Sequence, residues 1–340
     1  MAKVYIFLIA LLVSDLFASN SAVIFMYHRF AEEKYPSTNI TLKQFEYQLN
    51  YLKENEYNVW PLSKIVNYIV QKKPLPPKTV ALTIDDAYRS VYTDAFTSLK
   101  SKKFPFSVFV NTNPIDNKSK NYLSWEQMRE MSKHGGEFLN HSLSHDHLIP
   151  KKNEPENIWK KRITKEVEAA QKRLQEELGN KTNQNPKLFS YPFGEYSEKT
   201  AELISSLGYI SFAQTSGPIS FESDLKALSR FPMAEAYATE KGFLTKLNTL
   251  PLPVESASPF EPLIQKENPP KLYMKLKYPI KNIGCYLSNG EPLTIEWISE
   301  TELYITAKEP ISPPRNRYAC TAPSPDKKIF WYSHLWIVKE

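Results

Sequence analysis

Four of the chain's six histidines, His134, His141, His145 and His147, fall within 14 residues, and three of them sit in the run NHSLSHDHL. His141 and His145 are four residues apart, so on a helix or a tight loop after a strand both imidazoles can reach one ion. A borderline-soft divalent metal such as Zn2+ accepts imidazole and carboxylate together. Alone, the pair reads equally well as two satisfied surface histidines. Elsewhere, in TIDDAY, Asp85 and Asp86 directly follow an apolar run. Adjacent carboxylates at a strand end repel each other and lose hydration unless a cation or separate partners divide their roles. Their plainer role is to cap the helix that starts near Tyr88. Combined, two His and one Asp form a ligand set with open positions, as a catalytic ion requires, and leave the other Asp free as a base toward water. His28, at the end of a different apolar run, adds a proton donor.

The hydrophobic pattern supplies the elements that must position these groups. Short apolar runs at 22–27, 79–84, 106–110, 137–139, 188–191, 209–213 and near Leu228 read as buried strands. Amphipathic segments alternate with them. Thr41 and Gln44 form a capping box ahead of a stripe at Leu42, Phe45, Leu49 and Leu52. Further helices are expected at 61–70, 88–100, 125–133, 156–178, 197–207 and 236–247. In the long helix 156–178, Ile158, Ile163, Val167, Ala170 and Leu174 form the inward side and the Lys/Glu face is solvated. Strand–helix repetition means a barrel or a doubly wound sheet. No glycine-rich turn follows a strand, so neither a dinucleotide nor a nucleoside triphosphate site is supported. The barrel is the expected architecture, because reactive polar residues recur just past the C-terminal ends of several strands.

The length of 340 residues suggests two domains, and 41% hydrophobic with 24% charged residues excludes a disordered chain and a polytopic membrane protein. The formal charge of +6 comes from scattered basic residues without a finger, arm or stacking motif, so no nucleic-acid partner is expected. Residues 1–18 read as a signal peptide: Lys3, an apolar run over 4–13, then Ala18. That run is too short to span a bilayer, so no stable membrane span is expected and the mature chain is expected in the periplasm or secreted. The barrel is assigned to 19–250. Six prolines in 251–270 read as a rigid linker, and strand-like runs over 271–340 as a small all-β module packed on the barrel. Cys285 and Cys320 are the only cysteines, and an oxidising compartment makes them one disulfide.

MYHRF, ALTIDDAYRS, NHSLSHDHL and YPFGEYS occur in this order within residues 22–235. Together they resemble the polysaccharide deacetylases of carbohydrate esterase family 4, most nearly the circularly permuted branch that includes the poly-N-acetylglucosamine deacetylases. The resemblance implies an α/β fold, a distorted (β/α)7 barrel, with a divalent metal, usually zinc, and removal of N- or O-acetyl groups from glycans. It implies Asp85 as catalytic base, Asp86, His141 and His145 as metal ligands, and His28, from the first strand, as catalytic acid. Phe193 matches the aromatic position whose backbone N–H helps hold the oxyanion. Two departures stand out. Ser190 occupies the place of the arginine that orients the base, and Arg230, after the strand near Leu228, is the candidate to supply that charge. The last third lacks the leucine–x–histidine motif, whose part His28 would take. The function so implied is removal of N-acetyl groups from an amino-sugar polysaccharide of the cell envelope or extracellular matrix. The alternatives are O-acetyl ester hydrolysis by the same residues, or a catalytically silent envelope glycan-binding protein.

Overall fold

The structure is a computed structural model that describes residues 19–265 and 267–338; the expected signal segment 1–18 lies outside the described residues. The apolar runs form parallel strands: β1 (Ser21–Tyr27), β2 (Thr79–Ile84), β3 (Phe106–Val110), β4 (Gly136–Asn140), β5 (Lys187–Ser190) and β6 (Tyr209–Phe212), each paired with the next. Leu228 then bridges Phe212, and Phe231–Pro232 (β7) pairs in parallel with Phe25 and Met26. The sheet therefore curls into a distorted (β/α) barrel whose two ends are linked by one short, irregular strand. This is the expected architecture.

Alternation along the strands divides the core in two. Val23, Phe25, Tyr27, Val80, Leu82 and Ile84 face outward, against Phe45, Leu49 and Leu52 of α1 (Leu42–Glu54). Ala22, Ile24, Ala81, Phe109, Leu139, Leu188 and Phe212 line the inside with Leu62, Ile65, Val66 and Ile69 of α2 (Leu62–Val70). The first N–H groups of α2 bond to Ser107 and Glu137, near the starts of β3 and β4, so this helix plugs the N-terminal end of the barrel. A period of two from those inner residues carries His28, Asp85, Asn111, His141, Ser190 and Arg230 inward at the opposite end. That is where barrels of this kind carry their chemistry.

Two expected core positions are corrected. Ile158 is 49% exposed, and the inward stripe of the helix Glu156–Leu178 starts at Trp159, with Ile163, Val167, Ala170, Gln171 and Leu174. Ile158 is five residues from Ile163, which at about 100° per residue puts it well off that face, whereas Trp159 is one turn away. Leu42 is 39% exposed, because it opens α1 immediately after the Thr41 cap and overhangs the core; the capping box itself forms.

Two four-stranded sheets make up the C-terminal module. One orders Thr249–Pro251, Ile329–Ile337, Arg315–Pro323 and Gly284–Tyr286; the other orders Val254–Ser258, Lys271–Leu276, Glu302–Thr306 and Thr294–Trp297. Leu272, Met274, Ile305, Tyr318 and Trp336 fill the core between them. The proline-rich stretch expected as a linker thus contributes strand Val254–Ser258, paired with Lys271–Leu276. Its prolines flank an edge strand, a place where a missing N–H does no harm. Cys285 and Cys320 are directly opposite in the ladder and disulfide-bonded. Leu263, Leu335 and Ile337 of the module share a core with Trp159, Phe189 and Tyr191 of the barrel. No helix among the described residues is long and apolar enough to cross a membrane.

Candidate metal centre and active site

Asp86, His141 and His145 converge, with their ligand-type atoms all within 4.8 Å of one another. Asp86 Oδ1 lies 3.2 Å from His141 Nε2 and 3.1 Å from His145 Nε2. His141 Nδ1 is 2.8 Å from the Ser190 carbonyl. A carbonyl can only accept, so Nδ1 carries the proton and Nε2 presents a lone pair. Asp86 Oδ1 and His141 Nε2 are both deeply buried without a hydrogen-bond partner. Two acceptors facing each other in a dry site repel; a cation between them makes the arrangement favourable. The donor set therefore fits a divalent ion.

The electrostatics agree. Burial pushes the Asp86 carboxyl up, but His141 and His145, with the charge of His28, outweigh it and hold the group well below the usual carboxylate range. Burial pushes the His141 imidazole down, yet Asp86, Asp85 and the Ser190 carbonyl leave it above its ordinary value. Both directions describe a pocket that favours positive charge. Local backbone strain builds it: Asp86 and Ala87 have φ of 72° and 57°, and Ser142 and His145 of 69° and 61°. Non-glycine residues pay about 1–3 kcal/mol each for such conformations, which gather at functional sites. Asp86 thereby meets the two imidazoles while Asp85 meets Arg230. Neither carboxylate caps the following helical turn, whose N-cap is Ser90.

Asp85 is fully buried and meets Arg230 through two bonds, Nη1 to Oδ1 at 2.6 Å and Nη2 to Oδ2 at 2.8 Å. Ser190 accepts from Arg230 Nη2 at 2.8 Å, and its Oγ is 3.4 Å from Asp85 Oδ2. Burial raises the Asp85 carboxyl, and Arg230, His141 and His28 more than reverse it. The serine in the arginine's expected place makes room for a guanidinium arriving from the far side of the barrel. His28, half-buried after β1, senses the charges of Asp86, Asp85, Arg230 and His141. Burial lowers its pKa, and Arg230 and His141 add to that against the two carboxylates.

Phe193 sits in the turn Pro192–Gly194 with φ 59° and ψ 2°. The turn's own bonds use the N–H groups of Gly194 and Glu195, toward Tyr191 and Pro192, and not that of Phe193. The Phe193 ring contacts His145 edge-on at 4.5 Å. His147 binds Glu195 through Nδ1 at 2.7 Å instead of joining the cluster.

With this geometry in place, likeness to known proteins is informative. Residues 72–211 match the polysaccharide deacetylase family, a span that holds Asp85, Asp86, His141, His145 and Phe193. That segment, rather than the whole chain, is similar to the polysaccharide deacetylases. The chain is 28% identical over 211 residues to the putative polysaccharide deacetylase YxkH of Bacillus subtilis, covering 61% of this chain and 69% of that protein. It is 26% identical over 225 residues to the poly-beta-1,6-N-acetyl-D-glucosamine N-deacetylase of Escherichia coli K12, covering 55% of this chain and 32% of that one. The deacetylase PplD of Streptococcus pyogenes, solved in complex with acetate, shares the fold at a TM-score of 0.59 and 23% identity, over 67% of this chain and 98% of that chain. IcaB from Ammonifex degensii shares it at 0.56 and 24%, over 66% and 97%.

Several neighbours of this site are not apparent from the sequence. Tyr88 and Tyr122 pack at 5.2 Å, Arg29 lies 3.3 Å above Tyr88, and burial together with Asp86 pushes both phenols up. Asn111 is buried after β3 with an unpartnered Oδ1. Its place after a strand was the only available signal. Glu195 and Arg315 carried none.

Proposed function

We propose that the chain is a metal-dependent deacetylase that removes N-acetyl groups from an amino-sugar polysaccharide outside the cytoplasm, within the permuted, poly-N-acetylglucosamine-like branch. The observation that carries this reading is the fully buried Arg230–Asp85 pair beside the Asp86, His141 and His145 cluster. It keeps one carboxylate ionised and oriented while the other is turned to the imidazoles.

Asp86, His141 and His145 would hold the ion, for which zinc is the choice. When bound, it supplies Lewis acidity to the acetyl carbonyl and the attacking water. Asp85, ionised and aimed by Arg230, takes a proton from that water. The Phe193 N–H donates to the carbonyl oxygen as it gains negative charge. His28 gives a proton to the departing nitrogen; its lowered pKa makes the protonated imidazole a stronger acid. The C–N bond breaks, and acetate and a free sugar amine leave. A signal peptide at 1–18 and the Cys285–Cys320 bond support a periplasmic or secreted location.

The test is acetate release from N-acetylglucosamine oligomers and, in parallel, from an O-acetylated glycan. Release from the oligomers supports the reading. Release from the ester alone replaces it with an O-acetyl esterase, and release from neither favours a silent glycan-binding barrel.

A further inference from the structure

The Pro192–Gly194 turn is gripped from outside the barrel. Phe193 holds a left-handed conformation that side-chain-bearing residues rarely adopt, so its surroundings must impose it. Its ring stacks on His147, centroids 4.4 Å apart and planes 20° apart. His147 is held by the buried carboxylate of Glu195 at 2.7 Å. The remaining contact comes from the C-terminal module. Arg315, first residue of strand Arg315–Pro323, donates from Nη1 to the Phe193 carbonyl and lies 3.8 Å from Glu195 Oε1. Arg317 on the same strand donates to the Gln214 carbonyl at 2.9 Å. Gln214 is the residue against which Gly194 is seated, since a Cβ on Gly194 would stand 2.5 Å from Gln214 Cβ.

We propose that the C-terminal module is a working part of the site and that Arg315 is a positioning residue for the Phe193 backbone. Proline fixes φ at position 192. Arg315 anchors the peptide plane after Phe193, and Glu195 with His147 anchors its ring. With both sides held, the Phe193 N–H has one direction. Arg315 also joins Glu195 to the turn, so its loss frees the carbonyl and the ring's support together. This inference rests on the deacetylase reading, in which that N–H faces the developing oxyanion. The module's place in the chain explains why one strand can do this: Cys320, five residues along, is bonded to Cys285 and ties the strand to its neighbour.

The experiment compares wild type, Arg315→Ala, Arg315→Lys and Lys277→Ala. Lys277 pairs with Glu222 across the same barrel–module boundary and not with a residue of the turn, and so controls for docking alone. Three quantities are read: kcat and KM for N-acetylglucosamine oligomers, metal content per chain with melting temperature, and amide hydrogen exchange of the peptide spanning 191–196. Arg315→Ala is expected to lose about 10- to 100-fold in kcat, less than one removed oxyanion donor costs. KM should change less than about threefold, metal content should stay at the wild-type value, and the peptide should exchange faster. Arg315→Lys should recover part of kcat, and Lys277→Ala should match wild type. Wild-type kcat and exchange in Arg315→Ala, or a loss that only follows falling metal content or melting temperature, would overturn the proposal. If the wild-type protein itself releases no acetate, the deacetylase reading fails separately. The exchange comparison then decides whether Arg315 holds the turn.

Discussion

Arg230 and Asp85 stand 145 residues apart in the chain and form a two-pronged ion pair with both side chains 0% exposed. Arg230 also donates to Thr83 Oγ1 at 3.2 Å and lies 5.1 Å from the Phe109 ring, so the guanidinium is satisfied on several sides. Truncating one member of such a pair leaves an unpaired buried charge, at about 3–5 kcal/mol. Arg230→Ala is therefore expected to lower stability by that amount in urea unfolding. Arg230→Lys keeps the charge but loses the planar fork. It should fold and yet turn over about 10-fold or more slowly, because the proposed base, Asp85, is no longer aimed. Wild-type turnover in Arg230→Lys would mean that charge alone suffices.

Asp85 and His28 separate by leaving group. With Asp85 as the proposed base, Asp85→Asn removes the proton acceptor and should lower turnover by about 10²–10⁴-fold on any acetyl substrate. His28→Ala should damage deacetylation of N-acetylglucosamine oligomers far more than hydrolysis of an aryl acetate, because a sugar amine needs a proton to depart and an activated phenol does not. Equal losses on both substrates for His28→Ala would remove the general-acid role. Loss of the ion in that variant would make His28 a ligand.

Lys246 gives a pH dependence of stability. Its Nζ donates to the carbonyls of Pro232, at 2.9 Å, and Tyr237, and burial pushes its pKa down to about 7. Below that value the ammonium is charged in both folded and unfolded chains, and the full burial penalty applies. From about pH 7 up to the unfolded value near 10.4, the unfolded chain binds more protons, so stability rises with pH. The urea midpoint should climb between about pH 7 and pH 9, before tyrosines titrate. Lys246→Met should abolish that slope; an identical slope in the variant would assign it to other groups.

Much of the site was legible because barrel chemistry sits at strand ends, and strand ends show in sequence as apolar runs stopping at polar residues. Asp85, Asp86, His141 and His28 were visible in that way. Arg230 was visible only as a charge following a strand whose pairing is reduced to Leu228 and Phe231–Pro232. Its reach to Asp85 depends on barrel closure, which no local pattern encodes. The same holds for Glu195 and Arg315, brought together by the docking of the module. The proline-rich stretch misled for a different reason: prolines mark an edge strand as readily as a linker, and only the partner Lys271–Leu276 distinguishes them. Ile158 misled because its neighbour Trp159, the larger side chain, takes the buried position.

Asp86, His141 and His145 are proposed to hold an ion on which deacetylation depends. The most direct measurement is acetate release from N-acetylglucosamine oligomers by chelated protein titrated with Zn2+, alongside His141→Ala treated identically. The expected result is no release after chelation, recovery that saturates near one equivalent of metal, and no recovery in His141→Ala. Release that survives complete chelation, or a His141→Ala variant that recovers as wild type does, would contradict the account.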